Sequence, residues 1–153
     1  MPVYTLWYKP VSKTRLPLSL LPAYNKVKDK EVLAMEKRKL GNSELYINPV
    51  GLGCMGFSHA FGDPTEKGVA VRTLREAYEI GYDFFDTAEP YTGVNPDGAI
   101  SYNEELVGEA VKGIRDKVVI ATKMGVSHNA DRSLKLDSSP ETIRRSVEGS
   151  LKK

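Results

Sequence analysis

Three side chains stand where acid–base chemistry is possible: Asp86, Tyr91 and Lys123. Asp86 closes the run Tyr82-Asp83-Phe84-Phe85, and Lys123 closes Val118-Val119-Ile120-Ala121-Thr122. A carboxylate and an ammonium at the ends of neighbouring strands can pair, each favouring the other's charged form. Tyr91 lies five residues after Asp86, in the loop beyond the same strand. An ammonium beside its phenol makes it a better proton donor near neutral pH. The spacing leaves a second reading open, a plain ion pair at the sheet edge with an unrelated loop tyrosine.

These residues need a scaffold, and from Lys39 onward the sequence alternates strands and helices. Lys39-Leu40 and Leu45-Tyr46-Ile47 flank turn formers at 41–44 and predict a hairpin. Val50-Gly51-Leu52-Gly53 reads as a buried strand, followed by the loop Cys54-Met55-Gly56. The spacing predicts a helix opened by Asp63 as N-cap, with Pro64 first and Glu66 reaching back. Ala70, Leu74, Ala77 and Tyr78 share one of its faces, and Gly81 caps its end. Residues 82–87 form the next strand. Thr92 to Ala99 reads as a surface loop, from its Gly, Asn, Pro and Asp residues. Ser101 and Glu104 have the spacing of a second capping box, ahead of an apolar stripe of Leu106, Val107, Ala110, Val111 and Ile114. Val118 to Ala121 is a third buried strand. Ser139-Pro140-Glu141 opens a third helix, with Ile143, Val147 and Leu151 every four residues.

Strand–helix units in this order predict an α/β fold, a parallel sheet with right-handed crossovers. Its strands lack clean alternation, as expected when both faces are covered. Three units are too few to close an eight-unit barrel, which needs about 250 residues. The reading is therefore of an N-terminal portion of a larger α/β protein.

Composition narrows the classes. The chain has 153 residues, a formal net charge of +2, and one cysteine, Cys54. Near-zero charge gives no general attraction for nucleic acid or anionic lipid. No apolar run reaches membrane-spanning length. A single cysteine and two histidines argue against a structural metal site and for a reducing, cytoplasmic setting. The averages hide a seam near Met35. Residues 1–34 contain four of the nine prolines and none of the 13 glycines. They read as a disordered extension, or as an unrelated segment joined to a chain that naturally begins at Met35.

Five stretches in register resemble the opening of the aldo-keto reductases. They are Met35-Glu-Lys-Arg-Lys-Leu-Gly41, Gly51-Leu-Gly-Cys-Met-Gly56, Phe85-Asp-Thr-Ala-Glu-Pro-Tyr91, Asn103-Glu-Glu-Leu-Val-Gly-Glu109 and Ala121-Thr-Lys123. The resemblance covers residues 35–153 and none of 1–34. It implies an incomplete (β/α)8 TIM barrel, with an N-terminal hairpin and the first three strand–helix units, cut before the fourth strand. It also implies NADPH-dependent reduction of an aldehyde or ketone. Tyr91 would donate the proton, Lys123 would acidify it, and Asp86 would hold Lys123. Met55, Gly56 and Asp86 would approach the nicotinamide ribose.

The family's fourth residue, a histidine, has no match, since His59 and His128 both fall in other loops. There is also no Gly-x-Gly-x-x-Gly fingerprint. The resemblance therefore implies that this chain alone is inactive. The alternatives are a non-catalytic remnant or interaction fragment, and a regulatory protein like the potassium-channel beta subunits, which share the fold. Substrate and oligomeric state are not readable from the residues.

Overall fold

The computed structural model describes residues 36–129 and 133–153. The expectation for residues 1–34 lies outside the described residues.

The hairpin pairs β1 (Arg38–Lys39) with β2 (Tyr46–Ile47), antiparallel. It is fastened to the sheet through Asp83: Lys37 Nζ lies 2.6 Å from its Oδ2, and the Asn48 amide donates to Oδ1 at 2.8 Å. This contact lies at the N-terminal end of the sheet, opposite Asp86.

A three-stranded sheet follows in the order β3 (Leu52–Gly53), β4 (Phe84–Asp86), β7 (Val119–Ala121). Both pairings are parallel, with Gly53 and Ala121 each beside Asp86. Helix α1 (Lys67–Glu79) connects the first two strands, and α2 (Asn103–Ala110) leads from the second towards the third. Helix α3 (Pro140–Ser150) follows the third strand.

The core forms where the two connecting helices cover β4. Ala70, Leu74 and Ala77 of α1 and Leu106, Val107 and Ala110 of α2 pack around Phe85, which is 1% exposed. Burying such a ring stabilises the fold by about 1.5–3 kcal/mol. Arg75 ties the helices together, donating from α1 to the carbonyls of Ala110 at 2.8 Å and Lys112 at 3.1 Å. A cation there satisfies orphan carbonyls and opposes the negative end of the α2 dipole.

The end of α1 follows the expectation for Gly81. Ile80 is the C-cap, and Gly81 takes φ +110°, which side-chain-bearing residues resist. The Tyr82 amide then reaches the Ala77 carbonyl and the Gly81 amide reaches that of Tyr78, both at 3.0 Å.

Its start differs from the expectation. The cap is Glu66, not Asp63, and its carboxylate accepts from the amides of Gly68 at 2.7 Å and Val69 at 2.9 Å. These bonds lower the Glu66 pKa. Pro64 and Thr65 stay outside because the Thr65 amide is committed to the Phe57 carbonyl, 2.8 Å away. The second capping box is also absent. Ser101 sits in a strand paired with Gly93, and Glu104 turns inward to Thr122 Oγ1 at 2.7 Å, Ser150 at 2.8 Å and Lys153 at 2.9 Å.

Two hairpins were not expected. The segment read as a loop after Tyr91 pairs β5 (Thr92–Val94) with β6 (Ile100–Tyr102), and Asn95, Asp97 and Gly98 occupy the turn between them. Beyond Lys123, β8 (Val126–His128) pairs with β9 (Leu134–Leu136). Helix α3 presents Thr142 and Ser146 to the protein, while Ile143, Val147 and Leu151 are 43%, 38% and 79% exposed.

Candidate active site

The crevice lies at the C-terminal ends of the parallel strands, where such sheets gather their chemistry. Backbone bonds continue the ladder beyond the strands and set its geometry. The Cys54 amide donates to the Asp86 carbonyl and the Thr87 amide to that of Ala121, both at 2.8 Å. The Glu89 amide donates to the Lys123 carbonyl at 3.0 Å.

On this frame Lys123 Nζ lies 2.6 Å from Asp86 Oδ1 and donates to the Thr87 carbonyl at 2.7 Å. The same ammonium sits 5.1 Å from the centroid of the Tyr91 ring. Asp86, Tyr91 and Lys123 are therefore brought together in one place. Desolvation pulls the Lys123 pKa down. The hydrogen bond and charge of Asp86, with a further contribution from Tyr91, outweigh it and hold the ammonium above its ordinary value. The group is a firm cation at neutral pH.

Cys54 lies behind this pair, fully buried at the end of β3. Burial, reinforced by the Asp86 charge, pushes its thiol up to about 12. A neutral thiol offers no nucleophile here.

Met55 and Gly56 begin a single 3-10 turn, Met55–Phe57, at the same end of the sheet. Gly56 is exposed, and a Cβ there would meet only the Phe61 ring, at 3.6 Å. That leaves an open stretch of backbone at the end of the sheet that also carries the half-exposed carboxylate of Asp86. Among the described residues, no group of three His, Cys, Asp or Glu side chains could hold a metal ion. No helix among them is long and apolar enough to cross a membrane.

His59, read from sequence as an ordinary loop residue, belongs to the site's surroundings. Its ring stacks on Tyr91 with centroids 5.8 Å apart and planes 16° from parallel. Its Nδ1 lies 2.8 Å from the Thr92 carbonyl, which can only accept, so Nδ1 carries a proton. The backbone of His128 ends β8, paired with Leu134. Sequence reasoning also missed Ser58, Thr87 and Asn103, all buried beneath Tyr91. All three are polar, and no periodicity marks them as inward. A cavity of about 390 Å3 opens beside the Tyr91 segment, lined by Glu89, Pro90 and Thr92 on one side and by Val126, Lys135 and Arg145 on the other.

Comparison with known proteins shows which family this fold comes from. "Probable aldo-keto reductase 1" of Glycine max is 37% identical over 116 residues, which is 75% of this chain and 32% of that protein. The solved aldo-keto reductase AKR11C1 from Bacillus halodurans, a holo form, superposes with a TM-score of 0.62 at 34% identity, covering 77% of this chain and 36% of that one. An aldo/keto reductase from Klebsiella pneumoniae, solved with NADP and acetate, gives a TM-score of 0.50 at 26% identity over 78% of this chain and 35% of that one. The chain thus spans about a third of the length of these relatives, and its three strand–helix units are part of a (β/α)8 barrel. The profile of the Aldo/keto reductase family matches residues 49–153, and the chain belongs to that family.

Proposed function

We propose that the site serves the reduction of an aldehyde or ketone to an alcohol with NADPH. The observation that carries this reading is the Lys123 ammonium, held 2.6 Å from Asp86 and against the ring of Tyr91. NADPH, when bound, supplies the hydride that reaches the carbonyl carbon. Met55, Gly56 and Asp86 would hold its nicotinamide ribose. Tyr91 gives its phenolic proton to the carbonyl oxygen as negative charge develops there, and the phenolate is reprotonated from solvent. Lys123 stabilises that phenolate, and Asp86 keeps the ammonium charged and aimed. The NADP of the Klebsiella relative supports the choice of nicotinamide cofactor.

The family's histidine has no match here, and few of the described residues could grip a long dinucleotide. The 153-residue chain should therefore turn over more slowly than its family, because catalysis needs reacting groups held in near-attack geometry. The test follows NADPH absorbance with a panel of aldehydes and ketones. Slow oxidation that Tyr91→Phe abolishes supports the reading. Oxidation indifferent to Tyr91→Phe overturns it.

A second reading, an interaction fragment, is favoured by the exposed aliphatic groups of Leu134, Leu136, Ile143 and Leu151. Concentration-dependent self-association in sedimentation would support it.

A further inference from the structure

We propose that Asn103 is a positioning residue that locks the segment carrying Tyr91 onto the turn carrying Met55 and Gly56. The proposal rests on the reductase reading for its meaning, though not for its test.

Asn103 is the first residue of α2, yet it does not serve that helix. The cap is Tyr102, which makes no side-chain bond, and every side-chain bond of Asn103 leaves the helix. It is 1% exposed. Both amide hydrogens are committed, one to the Cys54 carbonyl at 2.8 Å and one to Ser58 Oγ at 2.7 Å. Its Oδ1 accepts from Thr87 Oγ1 at 2.7 Å, and its backbone amide donates to the Tyr91 carbonyl at 3.0 Å.

The donors point one way along this chain. Thr87 donates to Asn103, Asn103 to Ser58, and Ser58 Oγ to the Tyr91 carbonyl at 3.0 Å. Thr87 in turn offers its carbonyl to Lys123 Nζ. One buried amide therefore joins four segments: the 54–58 turn, the end of β4, the Tyr91 loop and, through Thr87, Lys123. Among the described residues no buried side-chain polar atom lacks a partner, so the network is fully satisfied, the condition under which a buried polar cluster rigidifies rather than destabilises.

Gly93 shows how closely the two segments are pressed. A Cβ there would collide with the Ser58 carbonyl oxygen and stand 2.8 Å from Pro64 Cγ. Only an amide side chain supplies two donors and one acceptor at this spot. Aspartate keeps the size and the acceptor but loses both donors.

The test is NMR on the labelled 153-residue chain, without cofactor. Asn103→Asp, Asn103→Ala and Ser58→Ala are compared with wild type, and Tyr91→Phe assigns the Tyr91 ring. The expected result is that Asn103→Asp shifts the Tyr91 ring signals and the Met55 and Gly56 amides together. The β1 and β2 amides should stay in place, and Ser58→Ala should reproduce the Tyr91 shift. A residue that only stabilised the fold would lower the unfolding midpoint without this paired signature. If the Asn103 variants do not fold, Ser58→Ala alone decides. Folded variants with unmoved Tyr91, Met55 and Gly56 signals would overturn the proposal. NADPH oxidation indifferent to Tyr91→Phe would sink the reductase reading and leave this result standing.

Discussion

The imidazole of His59 lies nearly parallel to the phenol ring of Tyr91, with centroids 5.8 Å apart. The same imidazole reaches the Thr92 carbonyl, so one side chain touches both the ring and the backbone next to it. His59→Ala removes a stack worth about 0.5–1.5 kcal/mol and a hydrogen bond worth about 0.5–1.5 kcal/mol. We expect destabilisation of about 1–2 kcal/mol in urea unfolding, together with a shift of the Tyr91 ring resonances. An unchanged midpoint with unmoved Tyr91 signals would mean the stack holds nothing.

Lys123→Met should separate stability from chemistry. The ion pair with Asp86 leaves both side chains nearly half exposed, so its loss should cost no more than about 1 kcal/mol. NADPH consumption should fall by about 10²-fold or more, because the phenol loses the cation that assists its proton transfer. Unfolding curves and NADPH absorbance on the same sample check both halves. Equal rates for wild type and Lys123→Met would remove Lys123 from the mechanism.

Cys54 should be chemically silent until the chain unfolds. It is the single cysteine, so thiol labelling reports on it alone. Its thiol is raised from 9.0 to about 12, chiefly by burial. Iodoacetamide at pH 8 should leave the native protein unmodified and label it fully in urea. The linkage has a definite sign. Below 9.0 both states hold the proton and stability is indifferent. Between 9.0 and about 12 the unfolded thiol ionises first, so stability falls with rising pH. Cys54→Ser should flatten that alkaline slope.

Asp137 gives an acid-side counterpart. Its carboxylate accepts from Thr142 Oγ1 at 2.6 Å and from the Ser139 amide at 2.9 Å. These bonds, the Thr142 bond first, lower its pKa from 3.8 to about 2. A depressed carboxyl contributes stability above its ordinary value and loses it as pH falls through the folded one. The start of α3 should therefore loosen between 3.8 and about 2, read from amide exchange of Thr142 and Ile143. Asp137→Asn should remove that pH dependence.

The strands and the Asp86–Lys123 pairing were legible because short apolar runs ending in a charged residue mark where a buried strand meets a polar crevice. The start of α1 was misread because Pro64 suits a first helical turn on local grounds, while a distant partner, the Phe57 carbonyl, claims the next amide. Ser101 has a capping residue's chemistry, and its strand pairing with Gly93 overrides it. The β8–β9 hairpin offers only three residues per strand, too few for alternation to register. Asn103 precedes two glutamates and looks solvated. Its inward turn depends on Cys54, Ser58 and Thr87, which sequence distance hides.

The strand ends that floor the crevice are joined through peptide groups: the amides of Cys54, Thr87 and Glu89 bonded to the carbonyls of Asp86, Ala121 and Lys123. Every residue type except proline carries that amide. The location of the chemistry is thus insulated from its content. Side chains at 86 and 123 can be exchanged, and new reactivities tried, without moving the walls that hold them. Glu89→Pro is the substitution that would disturb this backbone while leaving Asp86, Tyr91 and Lys123 in place in the sequence.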